Sequence, residues 1–369
     1  GVPGPGVPQP DDEPGLAHGG SFRRWAGRSL GSLAGGLALA LSGVTACGKG
    51  DSSSSPSSTA STSAKGDAVR AAPRTIAAGK GSGKADGQFP RTVKHFKGET
   101  TVSAQPQRVV AVSTGQSDAL LTLGIAPVGV GSPDGTETVP QYLKDAFPDK
   151  ASELQKTVSI GSRTEPSVEE IAKLKPDLIL VNKAGKGDSA ALYKSLSAIA
   201  PTVVTEGTGV NWKSDFLLLA DALGKRDAAQ RRLDAFHASA KALAGKVTPK
   251  QTVSFLNQSG QRTRVYGVSS FAGSIAEDAG VARPAAQSFK GKTSRDISSE
   301  ELDKADAAWI FYGVKGGKNS KLESLPLWKT LTAVKNEHAV AVDNDPFYLN
   351  AGPTAANHVL STLSKRLVG

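Results

Sequence analysis

Arg163 stands in the turn Gly161-Ser-Arg-Thr-Glu-Pro166, just ahead of Ser167-Val-Glu-Glu-Ile-Ala-Lys173, where a helix is due to begin. A guanidinium offers several N–H donors in one plane at a fixed charge, which suits oxygen-rich partners. By spacing alone it pairs with Glu165, ties down loop carbonyls, or faces a bound ligand. Arg295, in Thr293-Ser-Arg-Asp296, precedes a second Ser-x-Glu-Glu at Ser298 and is the counterpart of Arg163. Metal chemistry has less support. The five histidines (His18, His95, His237, His338, His358) are scattered, with no pair at helix-face or zinc-finger spacing. Catalysis has less still. Gly27-Arg-Ser-Leu-Gly31 matches a nucleophile elbow but lies in the N-terminal leader. Gly79-Lys-Gly-Ser-Gly-Lys84 lacks both the phosphate-loop spacing and a following helix. No protein-held metal, no cofactor and no enzyme activity are expected.

Aromatic residues make up only 5% of the chain, so those expected near strand ends gain weight as pocket walls. They are Trp212, Tyr348 and Tyr142, with Tyr266 a weaker candidate, and packing in the core or rim is the alternative for each. The two Ser-x-Glu-Glu segments read as capping boxes, Ser167 with Glu170 and Ser298 with Glu301. Glu169 and Glu300 are spared that job and project from the first helical turn, where by themselves they interact favourably with the helix dipole.

The elements that must position these residues are written twice. Arg108-Val-Val-Ala-Val-Ser113 matches Arg264-Val-Tyr-Gly-Val-Ser269, and eleven residues past each serine comes Gly-Ile or Gly-Val. Each unit reads as a strand, a tight turn, a helix and a helix-ending glycine. The Ser-x-Glu-Glu segments each lead into an apolar run, Leu178–Val181 and Ala307–Phe311, as helix-then-strand units. The expected fold is α/β: two similar lobes with parallel sheets, residues 105–210 and 249–369, joined by residues 211–248. That joint carries apolar residues at three- and four-residue spacing, which predicts one long rigid helix or a helix bent at Gly224.

Arg23, Arg24 and Arg28 precede an apolar run from Leu30 to Leu41, too short to span a bilayer comfortably, as in an export signal. Leu41-Ser-Gly-Val-Thr-Ala-Cys47 then leads through small residues to the only cysteine. This resembles a bacterial lipobox, with Val44 where leucine is usual. Residues 1–46 are thus expected to be a lipoprotein signal peptide and Cys47 the acylated residue, against an ordinary secretory signal as the alternative. Residues 47–104, rich in Ser, Ala, Gly and Lys, read as a flexible tether with an edge strand expected near Gln88–Phe96. Formal charge is +10, with 44 Lys and Arg against 34 Asp and Glu. No segment interleaves basic and aromatic residues as a nucleic-acid groove does, so a solvated basic surface is expected.

Five motifs in order resemble the substrate-binding lipoproteins of iron-siderophore, haem and cobalamin ABC importers. They are Pro106-Gln-Arg-Val-Val110, Leu121-x-Leu-Gly-Ile-x-Pro-Val-Gly129, Glu170-Ile-x-x-Leu-Lys-Pro-Asp-Leu-Ile179, Pro326-Leu-Trp328 with Leu331-x-Ala-Val, and Gly352-Pro-x-Ala-Ala356. The resemblance covers about residues 105–369 and implies an extracytoplasmic monomer, lipid-anchored through Cys47, that binds a ferric siderophore between its lobes. Gly161–Pro166 resembles the segment of hydroxamate-siderophore binders whose arginine touches the ferric complex, the iron being held by the siderophore. Glu169 and Glu300 occupy the positions at which the family docks onto arginines of the membrane permease. A single arginine argues against catecholates. Within the binding class the alternative is cobalamin or haem, with Tyr348 or His358 as an axial ligand; a surface sensor or adhesin is the alternative class.

Overall fold

The computed structural model describes residues 70–132, 137–183, 189–314 and 321–369. The signal peptide and Cys47 lie outside the described residues. The first lobe opens with β1 (Arg91–His95) and β2 (Gly98–Val102), followed by β3 (Val109–Ala111), α1 (Gln116–Thr122), β4 (Gly129–Ser132), α2 (Gln141–Ala146) and α3 (Ala151–Gln155). It ends with β5 (Val158–Ser162), α4 (Val168–Lys173), β6 (Leu178–Asn182), α5 (Ser189–Ser197) and β7 (Thr202–Thr205). Next come α6 (Trp212–Ala222) and α7 (Arg226–Ala244). The second lobe holds β8 (Val253–Ser259), β9 (Arg262–Tyr266), α8 (Phe271–Asp278), β10 (Ser294–Ile297), β11 (Trp309–Val314), α9 (Thr332–Lys335), β12 (Ala339–Asp343) and α10 (Pro353–Leu367).

The strand sequences dictate sheets covered on both faces. Along β3 and its extension, Val109 and Ala111 enter one core while Val110 and Val112 enter another. Leu178 and Leu180 of β6 alternate in the same way with Ile179 and Val181. A strand apolar on both faces suits the interior of a parallel sheet, and the first lobe has one, ordered β5-β4-β3-β6-β7. The second lobe repeats the alternation: Val253, Phe255 and Phe311 face one core, Leu256, Ile310 and Tyr312 the other. Its sheet, ordered β10-β9-β8-β11-β12, is mixed rather than parallel. The cause is local. Ser259 pairs with Arg262, and Gly260 at φ +62° makes the two-residue turn that sends β9 back antiparallel to β8.

The joint differs from a rigid rod. Gly224 sits at φ +67° and ends α6, and α7 folds back so that Trp212, at the start of α6, meets Phe236 with ring centroids 5.3 Å apart. A side chain on Gly224 would strike the Phe89 ring at 2.8 Å, so glycine is needed for space as well as for φ. α6 packs on the first lobe's strands, and α7 on α8 and α10 of the second. The apolar core runs on through both helices, from Val93 and Val109 past Trp212, Phe216 and Phe236 to Phe271 and Leu363.

The tether expectation needs correction over residues 70–104. Arg70 and Arg74 each reach Asp278 Oδ1 at 2.9 Å, and the Ala71 amide donates to Glu277 at 2.9 Å. Further on, the Ser82 amide donates to Asp221 at 2.7 Å, and the buried Arg91 guanidinium donates to the Asp221 carbonyl at 2.8 Å. β1 and β2 form an antiparallel hairpin, and the Phe96 amide donates to the Val204 carbonyl at 3.1 Å. This segment therefore runs from α8 of the second lobe, across α6, to the edge of the first lobe's sheet. Its low apolar content is offset by ion pairs and backbone hydrogen bonds.

Candidate functional site

The carboxyl ends of the parallel strands converge between the lobes, where open α/β sheets place their ligands. Two adjoining cavities lie there. An inner chamber of about 170 Å³ is walled by Trp212, Phe216, Phe271 and Phe347 and by polar groups at the ends of β3, β6 and β7. An outer cleft of about 410 Å³ opens beside it, with Ser162, Arg163 and Thr164 from the first lobe facing Asn257, Arg264 and Asn344 from the second. Tyr266 and Tyr348 line both, their rings 4.9 Å apart.

Each lining group is held by its neighbours. Gln116, buried at the start of α1, donates to Asn182 Oδ1 at 3.2 Å and Thr205 Oγ1 at 3.3 Å, and accepts from the Ser113 amide at 3.0 Å. Asp215, in the first turn of α6, accepts from the Glu206 and Gly207 amides at 2.9 and 2.8 Å and so fixes the loop after β7. Burial pushes its carboxyl up to about 6, against those two hydrogen bonds. Gly131 brings the end of β4 close beneath the Arg163 turn: a Cβ there would lie 2.1 Å from the Val112 carbonyl and 3.3 Å from Arg163 Cα.

Arg163 is exposed at the end of β5 in the outer cleft. Its amide donates to the Ser132 carbonyl at 3.3 Å, and its Nη1 touches Thr114 Oγ1 at 3.4 Å. Neither Glu165 nor a loop carbonyl holds its guanidinium among the described contacts. Trp212 lines the inner chamber but is only 2% exposed, its indole N–H given to Ser274 Oγ at 3.2 Å and its ring packed on Phe236 and Phe271. Tyr348 presents its ring, while its hydroxyl donates to the Phe311 carbonyl and accepts from the Leu256 amide.

Two candidates are not brought to the cleft. Tyr142 is buried on α2, where its hydroxyl donates to Asp118 Oδ2 at 2.9 Å, and Asp118 also caps α10 through the Thr354 and Ala355 amides at 2.8 and 2.9 Å. Arg295 lies on the other face of β10, stacked over Phe289 at 4.2 Å. The second-lobe guanidinium in the cleft is Arg264. Strand periodicity was the available signal: Tyr266 was already a candidate, and Arg264, two residues earlier on β9, shares its face. Both proposed haem ligands are otherwise engaged, Tyr348 as above and His358 against the Phe347 ring at 5.9 Å, outside the cleft lining.

Glu169 and Glu300 are exposed on the two lobes, as their motif positions imply. Glu169 contacts Lys173 at 3.3 Å. Their capping boxes differ. Glu301 reaches back to the Ser298 amide at 3.0 Å, ahead of a 3-10 turn over Ser299–Ala305. The Ser167 amide instead donates to the Ile160 carbonyl of β5 at 2.7 Å, so Glu170 is released to Lys173 at 3.0 Å.

Residues 109–346 match the family model described as periplasmic binding protein. A probable siderophore-binding lipoprotein of Bacillus subtilis is 34% identical over 278 residues, 71% of this chain and 82% of its own. The Fe(3+) dicitrate-binding periplasmic protein of Escherichia coli is 26% identical, covering 72% of this chain and 86% of its own. Among solved structures, Staphylococcus aureus SirA complexed with staphyloferrin B superposes with a TM-score of 0.63 at 28% identity, over 75% of this chain and 98% of that one. Two α/β lobes, a cleft at the strand ends, a matching family model and relatives named as binding proteins lead to one conclusion: the chain belongs to the periplasmic binding protein family.

Proposed function

We propose that the protein captures a ferric siderophore in the interlobe cleft and delivers it to an ABC importer. The observation that carries this reading is the donor set of the cleft: Arg163, Arg264, hydroxyls and amides line it, and among the described lining residues there is no histidine or cysteine and Asp215 is the sole carboxylate. Such a lining supplies donors to a chelator's oxygens. The Tyr348 hydroxyl is spent on the Phe311 carbonyl and the Leu256 amide, and Asp215 on two amides. That leaves the Tyr266 phenol and no full ligand set for bare iron, so the iron arrives already wrapped. Charge-assisted hydrogen bonds from Arg163 contribute roughly 1.5–3 kcal/mol each. The ring faces of Tyr266 and Tyr348 take the methylene and amide parts of the ligand, with Trp212 packed behind them in the chamber wall. Relatives named for binding siderophores and ferric dicitrate, and a neighbour solved with staphyloferrin B, support the same class of cargo.

Glu169 and Glu300, one on each lobe, dock onto basic residues of the permease and fix orientation as well as attraction. Cys47 carries the lipid anchor, in keeping with relatives named as lipoproteins, and the anchored protein works as a monomer on the outer face of the membrane. Titration of tryptophan fluorescence separates the readings: ferric siderophores quench and their iron-free forms do not. Equal quenching with and without iron would contradict the proposal.

A further inference from the structure

Arg264 opens the second copy of the repeated strand motif but was not a site candidate in the sequence, yet it changes the charge of the cleft. Among the described residues, the outer cleft is lined by two guanidinium groups, one from each lobe, and by no carboxylate. Arg264 is half-buried on β9, its Nε is buried without a hydrogen-bond partner, and its Nη2 finds only Asn257 Oδ1 at 3.5 Å. The nearest acid in register, Asp296 on β10, is taken bidentately by Arg262, at 3.0 Å for each bond. The inner-chamber carboxylate, Asp215, spends both oxygens on the Glu206 and Gly207 amides. A buried guanidinium N–H without an acceptor costs free energy that a ligand oxygen recovers.

Resting on the reading of this cleft as a ferric-siderophore site, we propose that the cargo is an anionic ferric complex, with carboxylate or catecholate chelating groups, and that Arg264 selects for that charge. Arg264 grips an anionic oxygen from the second lobe while Arg163 grips another from the first. Two cations on facing walls are compensated when an anion lies between them. A neutral trihydroxamate leaves both uncompensated, and a cationic one adds a third positive charge. The hydroxamate expectation rested on the resemblance of Gly161–Pro166 to hydroxamate binders, and the argument against catecholates on a single arginine. Arg264 as a second guanidinium in the cleft removes that argument and favours an anionic cargo.

The test is a charge series read by tryptophan fluorescence on the full chain. Ferric dicitrate and ferric enterobactin are the anionic probes, ferrichrome the neutral one and ferrioxamine B the cationic one, each at low and high sodium chloride. The anionic complexes are expected to bind most tightly and to weaken as salt rises. Arg264→Ala weakens them roughly ten- to a hundredfold and changes ferrichrome by less than about threefold. Arg264→Lys, which keeps the charge and loses the fork, restores part of the affinity. Thermal melts monitor folding of each variant, and the salt dependence of the unaltered chain decides the matter should a variant misfold. Tight, salt-insensitive binding of ferrichrome or ferrioxamine B, with weak binding of both anionic probes, overturns the proposal and leaves the siderophore function standing. Failure of all four to bind overturns both.

Discussion

Arg163 and Gly131 act on the same turn in separable ways. Arg163→Ala removes an exposed side chain whose described hydrogen bond is a long one to Thr114 at 3.4 Å, so cargo affinity falls roughly tenfold or more while the melting temperature stays put. Gly131→Ala drives a Cβ to 2.1 Å from the Val112 carbonyl, beneath the Arg163 backbone. Backbone must shift, at about 1–3 kcal/mol, so affinity and melting temperature fall together. Calorimetric melts and fluorescence titrations on both variants distinguish these outcomes; an Arg163→Ala protein with unchanged affinity contradicts the role given to the guanidinium. At this scale the sequence was partly legible. Arg163 stands out because a helix start follows it. Arg295 stands out for the same reason, but it lies within β10 opposite Val265, between the partners of Arg264 and Tyr266, and so on the opposite face from the cleft. Tyr142 could not be separated from a pocket residue, because its partner Asp118 lies 24 positions away.

Helices and strands were the most legible level, since two-residue and near-four-residue periodicities report directly which faces are buried. What stayed hidden depends on distant partners. The segment after residue 70 reads as tether because its composition is polar, and its ordering rests on Asp278 and Asp221, more than 120 positions further on. Asp278 also holds Lys213, a fully buried ammonium whose proton affinity is lowered by burial, with Asp278 opposing that shift only in part. Asp278→Asn leaves Lys213, Arg70 and Arg74 without their shared counter-charge. Urea denaturation is expected to show a loss of about 3–5 kcal/mol, the usual cost of breaking a buried ion pair. A loss below about 1 kcal/mol means that this clasp of Asp278 on Lys213, Arg70 and Arg74 is dispensable. The helical joint was legible only as an alternative: Gly224 marked a bend, and positive φ there turned the bend into a reversal.

The molecule as a whole links the cleft, the clasp and the two exposed glutamates. Replacing Glu169 and Glu300 together with Ala is expected to leave cargo affinity intact and to abolish uptake of radiolabelled ferric cargo in cells. Loss of binding in the double variant contradicts the division between cleft and docking faces. Stability should depend on pH through buried histidines. Burial, and then Lys80, brings His95 down to about 4, and burial and nearby cations do the same for His237. A lowered histidine takes its proton first in the unfolded chain, so its contribution is full above the ordinary value of 6.5 and is lost as pH falls toward 4. Asp215 and Asp345, raised to about 6 by burial, act in the opposite sense over the same range. His95→Asn should therefore lose less melting temperature than the unaltered protein between about pH 7 and about pH 4.5. A crystal structure with a bound ferric siderophore tests the central claim most directly. The account predicts iron bonded only to siderophore oxygens, with Arg163 hydrogen-bonded to the complex between the lobes. A protein atom in the iron's coordination sphere, or a cargo bound away from Arg163, contradicts it.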